Sequence, residues 1–151
     1  LPVRPLPAKE EVDAYMSTHD RDAHYVNITG LIHAYMCAAA DVYASGNPLP
    51  TEKPLPVSVV TLGDAVSFCP VPYELFSEIC LRIRRHGPCR HNLALSITNG
   101  FEAYLPTKDA VSRGGYEVDC FCYGNVAALD DNTDTVLVQH FLRILRAMDR
   151  T

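Results

Sequence analysis

The chain has no apolar run long enough to cross a bilayer, which excludes a transmembrane helix. It has no excess of positive charge either, because 13 Lys and Arg against 18 Asp and Glu give a formal net charge of −5. This balance argues against a nucleic acid partner, whose phosphates attract basic proteins. No repeat or low-complexity segment interrupts the 151 residues, and this length suits one domain with a real core.

The six cysteines lack the density of a disulfide scaffold, and no pair has the C-x-x-C spacing of a zinc finger. Cys37, Cys69 and Cys80 lie in apolar stretches, where a free cysteine behaves as a small hydrophobic residue. Cys120 and Cys122 would lie on one face of a strand. We therefore expect reduced, structural cysteines, and a cytosolic location fits them.

The first residues contain no initiating Met and no signal-peptide pattern. Instead the chain starts at Leu1 and has prolines at positions 2, 5 and 7, which predict an extended lead-in. We expect this chain to be a fragment or a processed piece of a longer protein.

Hydrophobic spacing and turn residues predict helices alternating with short strands. The first half of the chain is predicted to contain a helix over Ala8–Met16, a helix capped by Asp20 or Asp22 and ending near Ser45, and strands over Val57–Leu62 and Ala65–Val71 that form a hairpin around Gly63-Asp64. A helix from Glu74 to about His86 and a strand over His91–Ile97 follow. The last predicted elements are a short helix capped by Thr107, a strand over Tyr116–Tyr123 and a helix capped by Asn132 or Thr133.

This order predicts an α/β fold in which helices flank a mixed sheet in three layers, within a larger domain. If the strands that begin at Ala65 and His91 are parallel neighbours, their exits meet at one sheet edge. That arrangement brings Glu74 close to Tyr104, with Asn99 nearby. A carboxylate beside a phenol suits a metal that prefers oxygen ligands, or a hydrogen-bonded acid pair. Alternatively, Glu74 only complements the dipole of the helix that it opens.

The stretch from Val57 to Tyr123 resembles the neutral/alkaline non-lysosomal ceramidase family, and more closely its bacterial ceramidase-like members. Four short motifs carry this resemblance in the family's order. They are P-Y-E at Pro72–Glu74, S-E-I at Ser77–Ile79, N-G-F-E-A-Y-L-P-T at Asn99–Thr107 and G-G-Y-E-V at Gly114–Val118.

The resemblance implies the C-terminal part of a zinc-dependent amidohydrolase domain, whose substrate is a small-molecule or lipid amide. In the family, two histidines, a glutamate and a tyrosine hold one zinc ion, which activates a water against the N-acyl amide. The glutamate corresponds to Glu74 and the tyrosine corresponds best to Tyr104. The residues Asn99, Gly100, Phe101 and Glu102 would form the loop around the site.

The sequence departs from the family pattern in three places. Tyr73 replaces the glycine before the glutamate, which would place a bulky ring beside the metal. Phe101 stands where many members have a second tyrosine. Nothing in residues 1–56 matches the segments that supply the two histidines, so those ligands would come from an N-terminal segment present as a second chain.

Two alternatives therefore stay open beside the partial zinc site. One is a non-catalytic α/β scaffold that has lost the metal. The other is a small binding module whose recognition surface is the 98–118 loop, and it requires an exposed aromatic patch on that loop.

Overall fold

The computed structural model describes residues 1–48, 51–124 and 129–149. Its elements in chain order are α1 (Lys9–Thr18), α2 (Asn27–Ser45), β1 (Val60–Leu62), β2 (Val66–Pro70), β3 (Tyr73–Leu75), α3 (Ser77–His86), β4 (His91–Leu95), β5 (Ala103–Leu105), α4 (Lys108–Arg113), α5 (Tyr116–Tyr123) and α6 (Thr133–Met148). The predicted mixed α/β class is confirmed.

The larger of two sheets has three strands in the order β1-β2-β4. β1 and β2 are antiparallel around Gly63-Asp64, as predicted for a hairpin. β2 and β4 are parallel, with Val66 opposite His91 and Pro70 opposite Leu95. The intervening helix α3 packs against β4. The strand–helix–strand unit is therefore present, and its two strands are parallel neighbours.

A second, two-stranded sheet corrects the prediction for Glu74. The residues Tyr73–Leu75 form β3, which pairs in parallel with β5, and α3 begins only at Ser77. Two bonds beyond this ladder hold β3 in place: the Leu75 amide donates to Ser96 Oγ, and the Phe76 amide donates to the Leu105 carbonyl. Glu74 therefore lies on a strand and does not complement a helix dipole.

The segment Tyr116–Tyr123 is a helix, so the prediction of a strand there is wrong. Glu117 and Asp119 lie in its first turn, where acidic side chains stabilise the helix dipole. Val118, Phe121 and Cys122 are buried at helical spacing. Cys120 is partly exposed, so the two thiols do not share a strand face.

Helix α2 begins at Asn27, several residues after the predicted caps Asp20 and Asp22. It ends at Ser45, as predicted, and Gly46 follows it in the left-handed conformation. Gly30 lies inside it because the Tyr25 carbonyl approaches closely: a Cβ at position 30 would lie 2.6 Å from that oxygen. Although α2 is 19 residues long, none of the described helices combines the length and hydropathy needed to span a membrane.

The described residues bury two apolar clusters. The larger cluster joins the buried face of the sheets to α3, α5 and α6, and its largest fully buried side chains include Tyr73, Phe141 and Ile79. The smaller cluster lies between α1 and α2, around Val12 and Tyr35. Tyr123 packs against both clusters and therefore connects them.

Candidate functional site: an acid–phenol pair on adjacent strands

The parallel pairing of β3 with β5 places Glu74 directly opposite Tyr104. Side chains alternate along a strand, so Glu74 and Tyr104 point to one face, whereas Tyr73 and Leu75 point to the other face and are buried. The closeness predicted for Glu74 and Tyr104 is thus present, although it comes from sheet register instead of two strand exits. Tyr73 is only 2% exposed and faces away from the pair, so the prediction of a bulky ring beside Glu74 is wrong.

Glu74 changes the acidity of Tyr104. The pKa of the Tyr104 hydroxyl is raised, chiefly by the negative charge of Glu74 and then by partial burial, with Glu117 and Cys120 adding to the effect. A phenolate beside a carboxylate is disfavoured, so the phenol keeps its proton at neutral pH. The pair therefore offers one donor and one acceptor, and only a nearby cation would make Tyr104 an anionic ligand.

Helix α5 brings further polar groups to this face that the sequence interpretation missed. The Tyr116 ring meets the Tyr104 ring edge-on at a centroid distance of 6.1 Å. The pKa of Tyr116 is raised, first by a hydrogen bond with the Cys120 thiol. Tyr116 and Cys120 are four residues apart, as one helix face requires. In the sequence, the glycine pair before Tyr116 and the acidic residues after it are typical of a helix start and could have indicated this helix.

The loop from Asn99 to Glu102 adjoins the pair because backbone bonds attach the chain there to residues 71–73. The amides of Ile97, Thr98 and Glu102 donate to the carbonyls of Tyr73, Val71 and Pro72 at 3.0, 2.9 and 2.7 Å. Asn99 and Gly100 both have positive φ, 62° and 143°, a conformation that glycine adopts freely and that asparagine tolerates better than most residues.

Two residues of this loop have different environments. Phe101 is 61% exposed. The Glu102 side chain forms an ion pair with Lys53, whose Nζ lies 2.6 Å from Glu102 Oε2. Lys53 also lies over the ring of Tyr73, 5.9 Å from the centroid. The Glu102 carboxylate is therefore already neutralised by a lysine, unlike that of Glu74.

The donor set at Glu74 and Tyr104 fits part of a zinc site. A carboxylate and a phenol are suitable oxygen ligands, but the site that the resemblance implies also needs two histidines. Within residues 1–48, 51–124 and 129–149, no three His, Cys, Asp or Glu side chains are grouped so that they could hold a metal ion. The remaining ligands would thus come from outside the described residues.

A second polar cluster lies between α1 and α2, around the buried His33. Its Nε2 lies 3.2 Å from the Arg21 carbonyl and 3.5 Å from Cys37 Sγ, and its Nδ1 lies 3.2 Å from the Tyr15 hydroxyl. Because a carbonyl only accepts, the neutral ring carries its proton on Nε2 and accepts from Tyr15 at Nδ1. Both ring nitrogens are satisfied, as in a structural histidine. The His19 ring stacks on Tyr15 at 3.9 Å.

Comparisons with known proteins add no relative to this description. No protein-family model, no curated protein sequence and no solved structure matches the chain.

Proposed function

We propose that this chain supplies part of a zinc-dependent amidohydrolase site, with Glu74 and Tyr104 as two of the metal's ligands. The observation that carries the proposal is the register of β3 and β5, which holds these two side chains opposite each other on one sheet face. The motif order around them, which resembles the ceramidase-like family, supports it. A zinc ion bound there would polarise an amide carbonyl and lower the pKa of a bound water.

The residues of this chain have separate tasks in the proposed site. Glu74 presents a charged oxygen. None of the ion pairs among the described residues includes Glu74, so no lysine or arginine neutralises it. Tyr104 presents a phenol whose proton is retained until a cation offsets the charge of Glu74. The loop at Asn99 and Gly100 lies beside the start of β3, where backbone bonds attach its two ends to residues 71–73. The two remaining ligands belong to another segment or a second chain.

Zinc titration by calorimetry, with imidazole supplied in place of the two missing ligands, tests this proposal with a matched pair of variants. Glu74→Gln should weaken zinc binding at least about tenfold, because it removes one charged ligand. Glu102→Gln removes a carboxylate from the same loop region that is already paired with Lys53, and it should leave zinc binding unchanged. Equal zinc affinity in both variants and the unmodified chain would reject Glu74 as a ligand.

A recognition surface is the second candidate function, and the exposure of the aromatic side chains favours it. Phe101 is 61% exposed and Tyr116 is 59% exposed, so both rings are accessible to a ligand of the binding module. Ligand-observed NMR with a small-molecule fragment set distinguishes the two functions. Fragments lost in Phe101→Ala and Tyr116→Ala but retained in Glu74→Gln would support recognition without a metal.

A further inference from the structure

Helix α2 carries a histidine and a cysteine on consecutive turns. His33 and Cys37 are separated by one helical turn, which places both side chains on the same face of the helix. His33 Nε2 lies 3.5 Å from Cys37 Sγ, within hydrogen-bond distance for sulfur. A cysteine beside an imidazole is an arrangement that nucleophilic thiols use. This pair takes no part in the proposed zinc site.

Two neighbours fix the protonation of the His33 ring. Nε2 carries the proton, because the Arg21 carbonyl 3.2 Å away only accepts. The Tyr15 hydroxyl lies 3.2 Å from Nδ1 and donates to it. The Nε2–H is therefore shared between the Arg21 carbonyl and Cys37 Sγ. His33 thus acts on Cys37 as a hydrogen-bond donor, and such a donor stabilises a thiolate more than a neutral thiol.

The charges around Cys37 do not oppose a thiolate. Asp41 follows one turn later on α2, but the Arg21 guanidinium offsets its charge, with Nη2 at 2.6 Å from Asp41 Oδ1. The pKa of Arg21 is raised, chiefly by its hydrogen bond to Asp41, and Cys37 adds to the effect. The guanidinium is therefore close enough to interact with a charge on Cys37. The Cys37 residue is partly exposed, so a small molecule can reach it.

Burial makes three of the other five thiols poor nucleophiles. It is the first cause of the raised pKa of each of them, namely Cys69, Cys80 and Cys122. A raised pKa lowers the fraction of thiolate, which is the reactive form of cysteine. These three thiols should therefore react slowly.

The two remaining thiols have neighbours that favour the protonated form. The Cys89 thiol donates to the Gly63 carbonyl at 3.9 Å, a bond that a thiolate cannot make. Cys120 forms a hydrogen bond with Tyr116 and shares a short helix with Glu117 and Asp119, whose negative charges oppose a thiolate. Of the six thiols, all of which lie in the described residues, Cys37 alone combines partial exposure with an imidazole N–H.

We propose that Cys37 is a peroxide-sensitive thiol, which His33 activates by donating its Nε2–H to the sulfur. The thiolate sulfur attacks one oxygen of the peroxide, an S–O bond forms and the O–O bond breaks. The sulfur loses two electrons and becomes a sulfenic acid, while the peroxide is reduced. The leaving hydroxide takes a proton from solvent and becomes water. Hydrogen peroxide is small enough to reach a partly exposed sulfur.

Limited oxidation of the unmodified chain with hydrogen peroxide, followed by trapping of sulfenic acid with dimedone and peptide mapping, tests this assignment. The dimedone adduct should form on Cys37 at least about fivefold faster than on Cys89 or Cys120, the other two thiols that burial does not suppress. Faster labelling of Cys89 or Cys120, or equal labelling of all three, would overturn the proposal.

Variants at position 33 test the role of the imidazole N–H. His33→Phe should slow the oxidation of Cys37 about fivefold, because losing the hydrogen bond lowers the thiolate fraction more than it raises the nucleophilicity of the sulfur. His33→Gln supplies an amide N–H and should keep most of the rate. His86→Phe is the matched control, because His86 is exposed at the end of α3, and it should leave the rate unchanged.

Circular dichroism verifies that each variant is folded. An unchanged rate in folded His33→Phe, or an equal loss in His86→Phe, would reject activation by His33. The peptide map of the unmodified chain decides the identity of the reactive thiol without any of these variants.

Discussion

Glu74 and Tyr104 interact through charge as well as through sheet register. Glu74 sets the acidity of Tyr104, while the nearby Glu102 is neutralised by Lys53. Two carboxylates close in sequence therefore have different electrostatic roles. Cys69 shows the opposite situation, because burial is the main cause of the raised pKa of its thiol.

Removing the charge of Glu74 should lower the pKa of Tyr104. Glu74 is the first cause of the raised pKa, so Glu74→Gln should move it back toward the ordinary value. NMR of ¹³C-labelled tyrosine rings measures it, with Tyr104→Phe to assign the resonance. Glu102→Gln is the control and should change the Tyr104 pKa far less. An unchanged Tyr104 pKa in Glu74→Gln would show that the two side chains do not interact.

Alkaline pH should destabilise the protein through Cys69. Burial raises the pKa of this thiol to about 11 from its ordinary 9.0, so the folded state retains a proton that the unfolded state loses. The contribution is fully present below pH 9 and is lost as pH rises through about 11. The slope is at most roughly 1.4 kcal/mol per pH unit. Urea unfolding across this range should show a shallower pH dependence in Cys69→Ala, and an identical slope would contradict this assignment.

At the scale of elements, ion pairs that join separate segments of the chain differ in how much they stabilise the fold. Arg82 on α3 lies 2.7 Å from Asp134 on α6, and the Asp134 side chain is only 4% exposed. Arg21 pairs with Asp41 at an exposed site. The buried carboxylate depends on its arginine, because losing the partner leaves a charge away from water.

Arg82→Leu should therefore lower the free energy of unfolding by about 3 kcal/mol. Arg21→Leu should leave it nearly unchanged, because water screens an exposed pair. Urea denaturation measures both variants. Similar losses in the two variants would show that burial of Asp134 does not control the strength of its pair.

Elements that depend on local chemistry could be predicted from the sequence. Gly46 and Asn99-Gly100 adopt positive φ, and the Thr107 hydroxyl caps α4 by accepting from the Ala110 amide at 3.3 Å. The strand β3 could not be predicted, because three residues carry no periodicity and their conformation comes from pairing with β5, about 30 residues later. The segment Tyr116–Tyr123 was predicted as a strand because Val118 and the aromatic residues suit a strand. Tertiary packing selects the helix α5 instead.

The candidate site likewise has residues that could be predicted from local sequence and residues that could not. Glu74 and Tyr104 could be named from motifs, and their contact was expected from parallel strands. Tyr116 and Cys120 could not be placed beside them, because their positions depend on α5 being helical. The pairing of Glu102 with Lys53 joins residues 49 apart and leaves no local signal.

At the scale of the whole molecule, Tyr123 connects the two apolar clusters. Its ring meets Tyr35 of α2 edge-on at a centroid distance of 5.6 Å. It packs against residues of both clusters. The α1–α2 pair thus depends on this aromatic contact for part of its attachment to the sheets.

Tyr123→Ala should loosen α1 and α2 while the sheet keeps its protection. Hydrogen exchange should quicken in residues 9–45, since the smaller cluster loses an aromatic neighbour, and change little in residues 66–95. Tyr123→Phe keeps the ring and should behave like the unmodified chain. Equal acceleration in both regions would mean that the two clusters unfold as one unit.

The central claim, that Glu74 and Tyr104 are zinc ligands, is tested most directly at the Tyr104 ring. Zinc is added at neutral pH with imidazole, which stands in for the two histidine ligands, and the labelled Tyr104 resonance is followed. We expect a shift toward the phenolate position, because zinc offsets the charge of Glu74, and loss of that shift in Glu74→Gln but not in Glu102→Gln. A Tyr104 resonance that zinc leaves unchanged would contradict the claim.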